Sequence, residues 1–191
     1  MGLGPVQAMA SGLGMSSTHL SQPFIGCGFQ GGVRNELTLV DAAKLYRAVD
    51  NGTALSSPAR TTFFSILAGG APSAGDAWGT VVSQEAAGLG KSAVVPAFLA
   101  DMNIRSKAGS YGFCLSGTCV PWKADYSIAG WVSIPFNGGA TNRTYLFGNF
   151  VNDLVVNCNN NCAAQIAVGT ALSGVAAESA RSTIRAALQT W

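Results

Sequence analysis

YSIAGWVSIPFNGGATNRTYLFGNFV, residues 126–151, holds two segments rich in β-branched and aromatic residues, Tyr126 to Phe136 and Thr144 to Val151, on either side of Asn137-Gly138-Gly139. Such side chains suit a pleated, half-buried surface, and an Asn-Gly pair readily takes the left-handed backbone of a tight turn. The stretch predicts an antiparallel hairpin. Upstream, Asn103 to Lys107 has the same character and predicts another strand, joined to the hairpin by the segment from Cys114 to Trp122. That connection is too short for a crossover, so the expected sheet is a three-stranded antiparallel meander.

Helical patterns flank this sheet. Thr38 followed by Asp41 is a variant capping box, and Leu39, Ala42, Ala43, Leu45, Tyr46 and Val49 form one apolar face before the Asn51-Gly52 stop. Ser57, as N-cap, and Pro58, as first helical residue, predict a second helix that bears Phe63, Phe64, Ile66 and Leu67 and ends at Gly69-Gly70. Residues Ala77 to Asp101 read as two short helices broken near Gly88 and Gly90. Gly2 to Met15 reads as one short helix and the Gly-rich stretch Ser21 to Asn35 as a long loop. The Ala-rich segment from Ala163 to Thr190 predicts a C-terminal helix, kinked at Gly169 or Gly174, on one face of the sheet. The fold class is α+β: N-terminal helices, an antiparallel meander and a closing helix, in a single domain over residues 1–191.

Of the 191 residues 48% are hydrophobic and 10% charged, with a net charge of +2. That balance is the reverse of a disordered chain's, and the scattered Lys and Arg cannot form the basic stripe that nucleic acid requires. No apolar run is long enough for a membrane span, and Met1 to Met15 carries no charge ahead of an apolar stretch, so no signal peptide is expected within the chain. The low charge is nevertheless typical of exported proteins and predicts a secreted or periplasmic location. Cys114 with Cys119 and Cys158 with Cys162 form two close pairs, and Cys27 is left over. In an oxidising compartment the pairs read as local disulfides, with metal binding or free thiols as the alternatives. No metal site and no cofactor are expected, and the sequence does not fix an oligomeric state.

Chemistry-bearing motifs are scarce. His19 is the only histidine, and no G-x-S-x-G, dinucleotide-binding or phosphate-binding loop is present. Lys107-Ala108-Gly109-Ser110, at the end of a predicted strand, can offer a fixed cation to an anionic ligand, and Gly109 lets a substrate backbone approach the strand edge. A solvated Lys ahead of a turn has the same signature.

The order of elements adds to this motif. The strand ending in Lys107-Ala108-Gly109-Ser110, the two strands after it, the closing helix and the preceding helix pair from Thr38 to Leu67 resemble the C-terminal two-thirds of the class A β-lactamase and penicillin-recognising serine hydrolase family. Gly2-Leu3-Gly4-Pro5 to Met15-Ser16-Ser17-Thr18 is similar to the stretch after that family's S-D-N loop, and Asn35-Glu36-Leu37-Thr38 resembles the entry into the helix after its Ω-loop. The resemblance implies amide or ester hydrolysis of a small-molecule or peptide substrate, of β-lactam or cell-wall peptide type. It also implies substrate binding by Lys107, Gly109 and Ser110, the Ser110 backbone N–H lending one donor to an oxyanion hole.

The sequence departs from that family at several points. None of Lys44, Lys91, Lys107 and Lys123 has a Ser three residues before it, and no S-x-N occurs. On this alignment both motifs would precede residue 1, so the chain is expected to be inactive by itself. Ser16 to Gly32, the Ω-loop equivalent, has no acid, and Ala108 stands where the family has a hydroxyl residue. These two departures favour a second expectation, a non-catalytic exported binding or interaction module that keeps the fold.

Overall fold

A computed structural model describes residues 2–21, 35–114, 122–156 and 163–191. In chain order its elements are α1 (Leu3–Gly12), α2 (Leu39–Asp50), α3 (Ser57–Ile66), β1 (Ala68–Gly70), α4 (Ala77–Gly88), α5 (Val95–Asp101), β2 (Asn103–Cys114), β3 (Trp122–Phe136), β4 (Thr141–Val156), α6 (Ala163–Ser179) and α7 (Arg181–Gln189). The expected α+β class holds. Thr38 caps α2 by accepting the Asp41 N–H, and Asp76 caps α4 by accepting the Gly79 N–H. At the hairpin, Asn137, Gly138 and Gly139 all adopt left-handed backbone, with φ of 53°, 63° and 86°. Phe136 pairs with Thr141 across that turn.

The structure corrects four details. The sheet has four strands in the order β1-β2-β3-β4, not three. Residues expected to end a helix, Gly69-Gly70, belong to β1, which pairs with β2 through Ala68 opposite Arg105 and Gly70 opposite Ile104. A Cβ at position 69 would lie 2.7 Å from the Ile104 carbonyl oxygen, so only glycine permits this approach. Second, the strands run longer than their apolar cores: β2 continues through Lys107-Ala108-Gly109-Ser110 to Cys114. Third, the C-terminal helical segment divides at Ala180, beyond Gly169 and Gly174, and Arg181, the first residue of α7, donates to Glu85 on α4. Fourth, Ser56 is the N-cap residue of α3, and Ser57 is its first helical residue.

Direct antiparallel partners share a face, so the register sorts the sheet into two. One face, with Val132, Ile134 and Phe136, packs on Trp78, Phe98, Ile184 and Leu188 from α4, α5 and α7 to form the main core. The same face continues to Tyr126 and Ile128, which meet Leu172 of α6. The opposite face carries Trp131, packed edge-on against Tyr46, Phe64 and Phe63 of α2 and α3 at 4.5, 5.2 and 6.2 Å between ring centres. Edge-to-face pairs of this kind add about 1 kcal/mol each to the area they bury.

Charged groups pin the helical layer. Glu85 on α4 accepts from Arg181 Nη1 at 2.6 Å and Arg185 Nη1 at 2.9 Å. The hydrogen bond from Arg181, then that from Arg185, hold its carboxyl below the usual range against the opposing effect of burial. Lys91 Nζ donates to the carbonyls of Leu188, Gln189 and Trp191, which closes the end of α7.

Candidate functional site

Strand β2 is covered along its inner edge, and along much of its outer edge no described residue pairs with it. β3 pairs with it over its full length, from Asn103 opposite Ser133 to Cys114 opposite Trp122. β1 reaches only Ile104 and Arg105. Among the described residues, nothing pairs with the outer edge from Ser106 onward. Lys107, Ala108 and Gly109 are exposed there. The Lys107 ammonium donates to the carbonyl of its own neighbour Ala108, and no described carboxylate pairs with it.

Lys107 lies opposite Ala129, and Ala129 opposite Gly148, so the three form a row across β2, β3 and β4 on the face that carries Trp131. The next row is Gly109, Ser127 and Phe150. A Cβ at position 109 would stand 3.0 Å from Ser127 Oγ, which makes this a tight place for any larger residue. Ser110 sits in the strand opposite Tyr126.

A second constellation gathers where α1, α2 and the ends of the 21–35 segment meet. Asp41 is 1% exposed. Its carboxylate accepts from the Ser17 N–H and the Thr18 hydroxyl, each at 2.9 Å, and from Lys44 Nζ at 2.9 Å. The Lys44 hydrogen bond is the first cause holding this carboxyl below its usual range, and burial opposes it. Gln7 of α1 donates to the Thr18 carbonyl at 3.1 Å and accepts the Leu20 N–H at 3.0 Å. His19 and Glu36 then exchange both backbone hydrogen bonds, at 3.0 and 2.8 Å, which draws residues 19 and 36 together. His19 therefore serves this junction through its backbone.

No family model and no curated protein matches the sequence. Among solved structures, the chain is similar to a β-lactamase from Sphaerobacter thermophilus DSM 20745, with a TM-score of 0.50 and 18% identity over 98% of this chain and 53% of that one. The fold is β-lactamase-like. The chain spans about half the length of that structure, and at this identity the likeness concerns the fold alone.

Within the β-lactamase-like fold, Lys107, Gly109 and Ser110 lie in the middle of β2 rather than at the end of a strand. The pairs Cys114 with Cys119 and Cys158 with Cys162, Cys27, and the body of the Ser21 to Asn35 loop lie outside the described residues, except that the Cys114 backbone ends β2. Among the described residues no three His, Cys, Asp or Glu side chains approach closely enough to hold a metal ion, and no helix is long and apolar enough to cross a membrane. Sequence reasoning saw Asp41 only as the partner of a helix cap. Its burial under Ser17 and Thr18 follows from contacts between residues more than 20 positions apart, for which the local pattern carries no signal.

Proposed function

We propose that this chain is the substrate-aligning part of a β-lactamase-like serine hydrolase, acting on an amide or ester of β-lactam or cell-wall peptide type. The observation that carries this reading is the outer edge of β2, unpaired among the described residues from Ser106 onward, with Lys107-Ala108-Gly109-Ser110 along it. An extended acyl substrate can add to such an edge as a further strand, while the Lys107 ammonium meets its carboxylate and the Ser110 backbone N–H faces its carbonyl. Gly109 keeps the approach free of a side chain.

The 191 residues contain no S-x-x-K, so neither an attacking serine nor its lysine base can be named among them. Alignment without turnover is the expected behaviour of this polypeptide. Ala108 supports the second reading, a non-catalytic binding or interaction module, because it withdraws a hydroxyl that would otherwise hold the substrate carboxylate. A secreted or periplasmic setting suits both readings.

Incubation with benzylpenicillin and with a fluorophosphonate, followed by intact-mass spectrometry and by backbone NMR, tests the proposal. The expected result is no mass increase, together with saturable shifts at residues 106–110 that Lys107→Met abolishes. A covalent adduct would reveal a nucleophile within the chain, and unshifted β2 resonances would remove the substrate-aligning reading.

A further inference from the structure

A cavity of about 100 Å³ lies between α2 and the sheet, lined by Leu39, Ala42, Ala43 and Tyr46 on one side and Ala129, Leu146, Phe147 and Gly148 on the other. Small residues create it. Opposite α2, Ala129 and Gly148 place almost nothing above the sheet, and Leu39 closes down over Gly148, where a Cβ would lie 2.8 Å from Leu39 Cδ2. Farther along, Tyr46 reaches across and donates its hydroxyl to the Ala129 carbonyl at 3.3 Å. That bond engages the one polar side-chain group of the lining, so the remaining side chains of the wall are hydrocarbon. Most of the lining residues are only half-buried, and the cavity opens to solvent.

Its position gives it meaning. The floor residues Ala129 and Gly148 stand in one row with Lys107, all on the same face. Directly opposed Cβ atoms are about 5 Å apart, so the flexible Lys107 stem reaches the mouth of the cavity. An apolar cavity of roughly 150 Å³ holds benzene; this one is smaller and suits a compact branched alkyl group. An ammonium that no described carboxylate neutralises, beside such a pocket, matches a carboxylate attached to that group.

We propose that the cavity and Lys107 together form a binding site for short branched-chain carboxylates, or for the equivalent acyl portion of a larger anionic ligand. The alkyl group fills the space over Ala129 between Leu39 and Tyr46, and the carboxylate meets Lys107. The ionic half of this site rests on the role given to Lys107 above; the apolar half stands on the cavity alone.

The probes are 3-methylbutanoate and its neutral counterpart 3-methylbutan-1-ol, titrated into the intact chain while the methyl resonances of Ala42, Ala43 and Ala129 are followed by NMR. Saturable shifts of these methyls by both probes are expected, with the carboxylate binding about tenfold more tightly. Ala43→Leu, which fills the cavity with hydrocarbon, is expected to abolish binding of both, and a thermal melt of this variant checks that it folds. Lys107→Met keeps an unbranched side chain and is expected to remove only the carboxylate's advantage. Absent methyl shifts, or shifts that survive Ala43→Leu in the folded variant, would overturn the site. Equal affinity for the two probes, unchanged by Lys107→Met, would overturn its ionic half and the role of Lys107 in substrate alignment while the alcohol still reports the cavity.

Discussion

The hairpin end of the sheet and the end that carries Lys107 are built from the same three long strands, yet they are covered differently. Near the hairpin both faces are packed: Val132 and Ile134 lie under α4, α5 and α7, while Trp131 lies under α2 and α3. Four residues back along β3, Ile128 is still covered by Leu172 of α6, but on the other face Ser127 and Gly109 are exposed and Phe150 is 46% exposed. Helix α2 extends over the sheet only as far as Leu39 above Gly148. One end is thus packed on both faces and the other, among the described residues, on one, with the small cavity at the boundary.

Substitutions measure that contrast. The largest effect is expected from Trp131→Ala, which removes a side chain packed against Tyr46, Phe63 and Phe64. A loss of about 3–5 kcal/mol in unfolding free energy is expected by urea denaturation. An effect near zero would show that the α2–α3 face contributes little to the core. Ile134→Val, fully buried on the opposite face, is expected to cost about 1 kcal/mol in the same measurement.

Acid tests the charged clamps. The carboxyls of Glu85 and Asp41 titrate below their ordinary values in the folded chain, so the stability they contribute is complete above the pH at which the unfolded chain takes up these protons. It is lost as the pH falls through the lower, folded values. The urea midpoint of the parent chain should therefore decline on acidification, and that of Glu85→Gln should start lower and decline less. In Asp41→Asn, faster amide exchange is expected at Ser17, whose N–H the carboxylate accepts. Unchanged exchange there would show that the junction holds without Asp41.

The smallest effects on stability belong to the open end. Lys107→Met is expected to move unfolding free energy by less than about 0.5 kcal/mol, since among the described residues the exposed ammonium meets its own strand's carbonyl and no carboxylate. Ligand titration, not denaturation, is where this variant should differ. A large loss of stability would place Lys107 among the structural residues and erase the distinction between the two ends.

Much of this architecture is local in origin and was legible in the chain. The hairpin follows from Asn137-Gly138-Gly139, whose left-handed backbone other residues resist, and α2 follows from Thr38 and Asp41 acting within one turn. Residues Lys107 to Ser110 could be singled out because a cation, a glycine and a strand end occur together in sequence. Other features depend on distant partners. A three-residue strand made of Ala68, Gly69 and Gly70 has no side-chain pattern to read, since it exists only because the Ile104–Arg105 backbone lies beside it. Gly169 and Gly174 lie within α6, and the helix divides at Ala180, beside the charge pair that ties Arg181 to Glu85 across the helical layer.

The class of the fold, its hairpin, its capped helices and the strand that bears Lys107 follow from local pattern, because turn, cap and period preferences act over a few neighbouring residues. Packing across the domain settled that no described residue pairs with the outer edge of β2 from Ser106 onward, that Asp41 is buried, and that a small space remains over Ala129 between Leu39 and Tyr46. Each of these depends on which residues distant in the chain come to lie side by side, and pairing of that kind is set by packing of the whole domain.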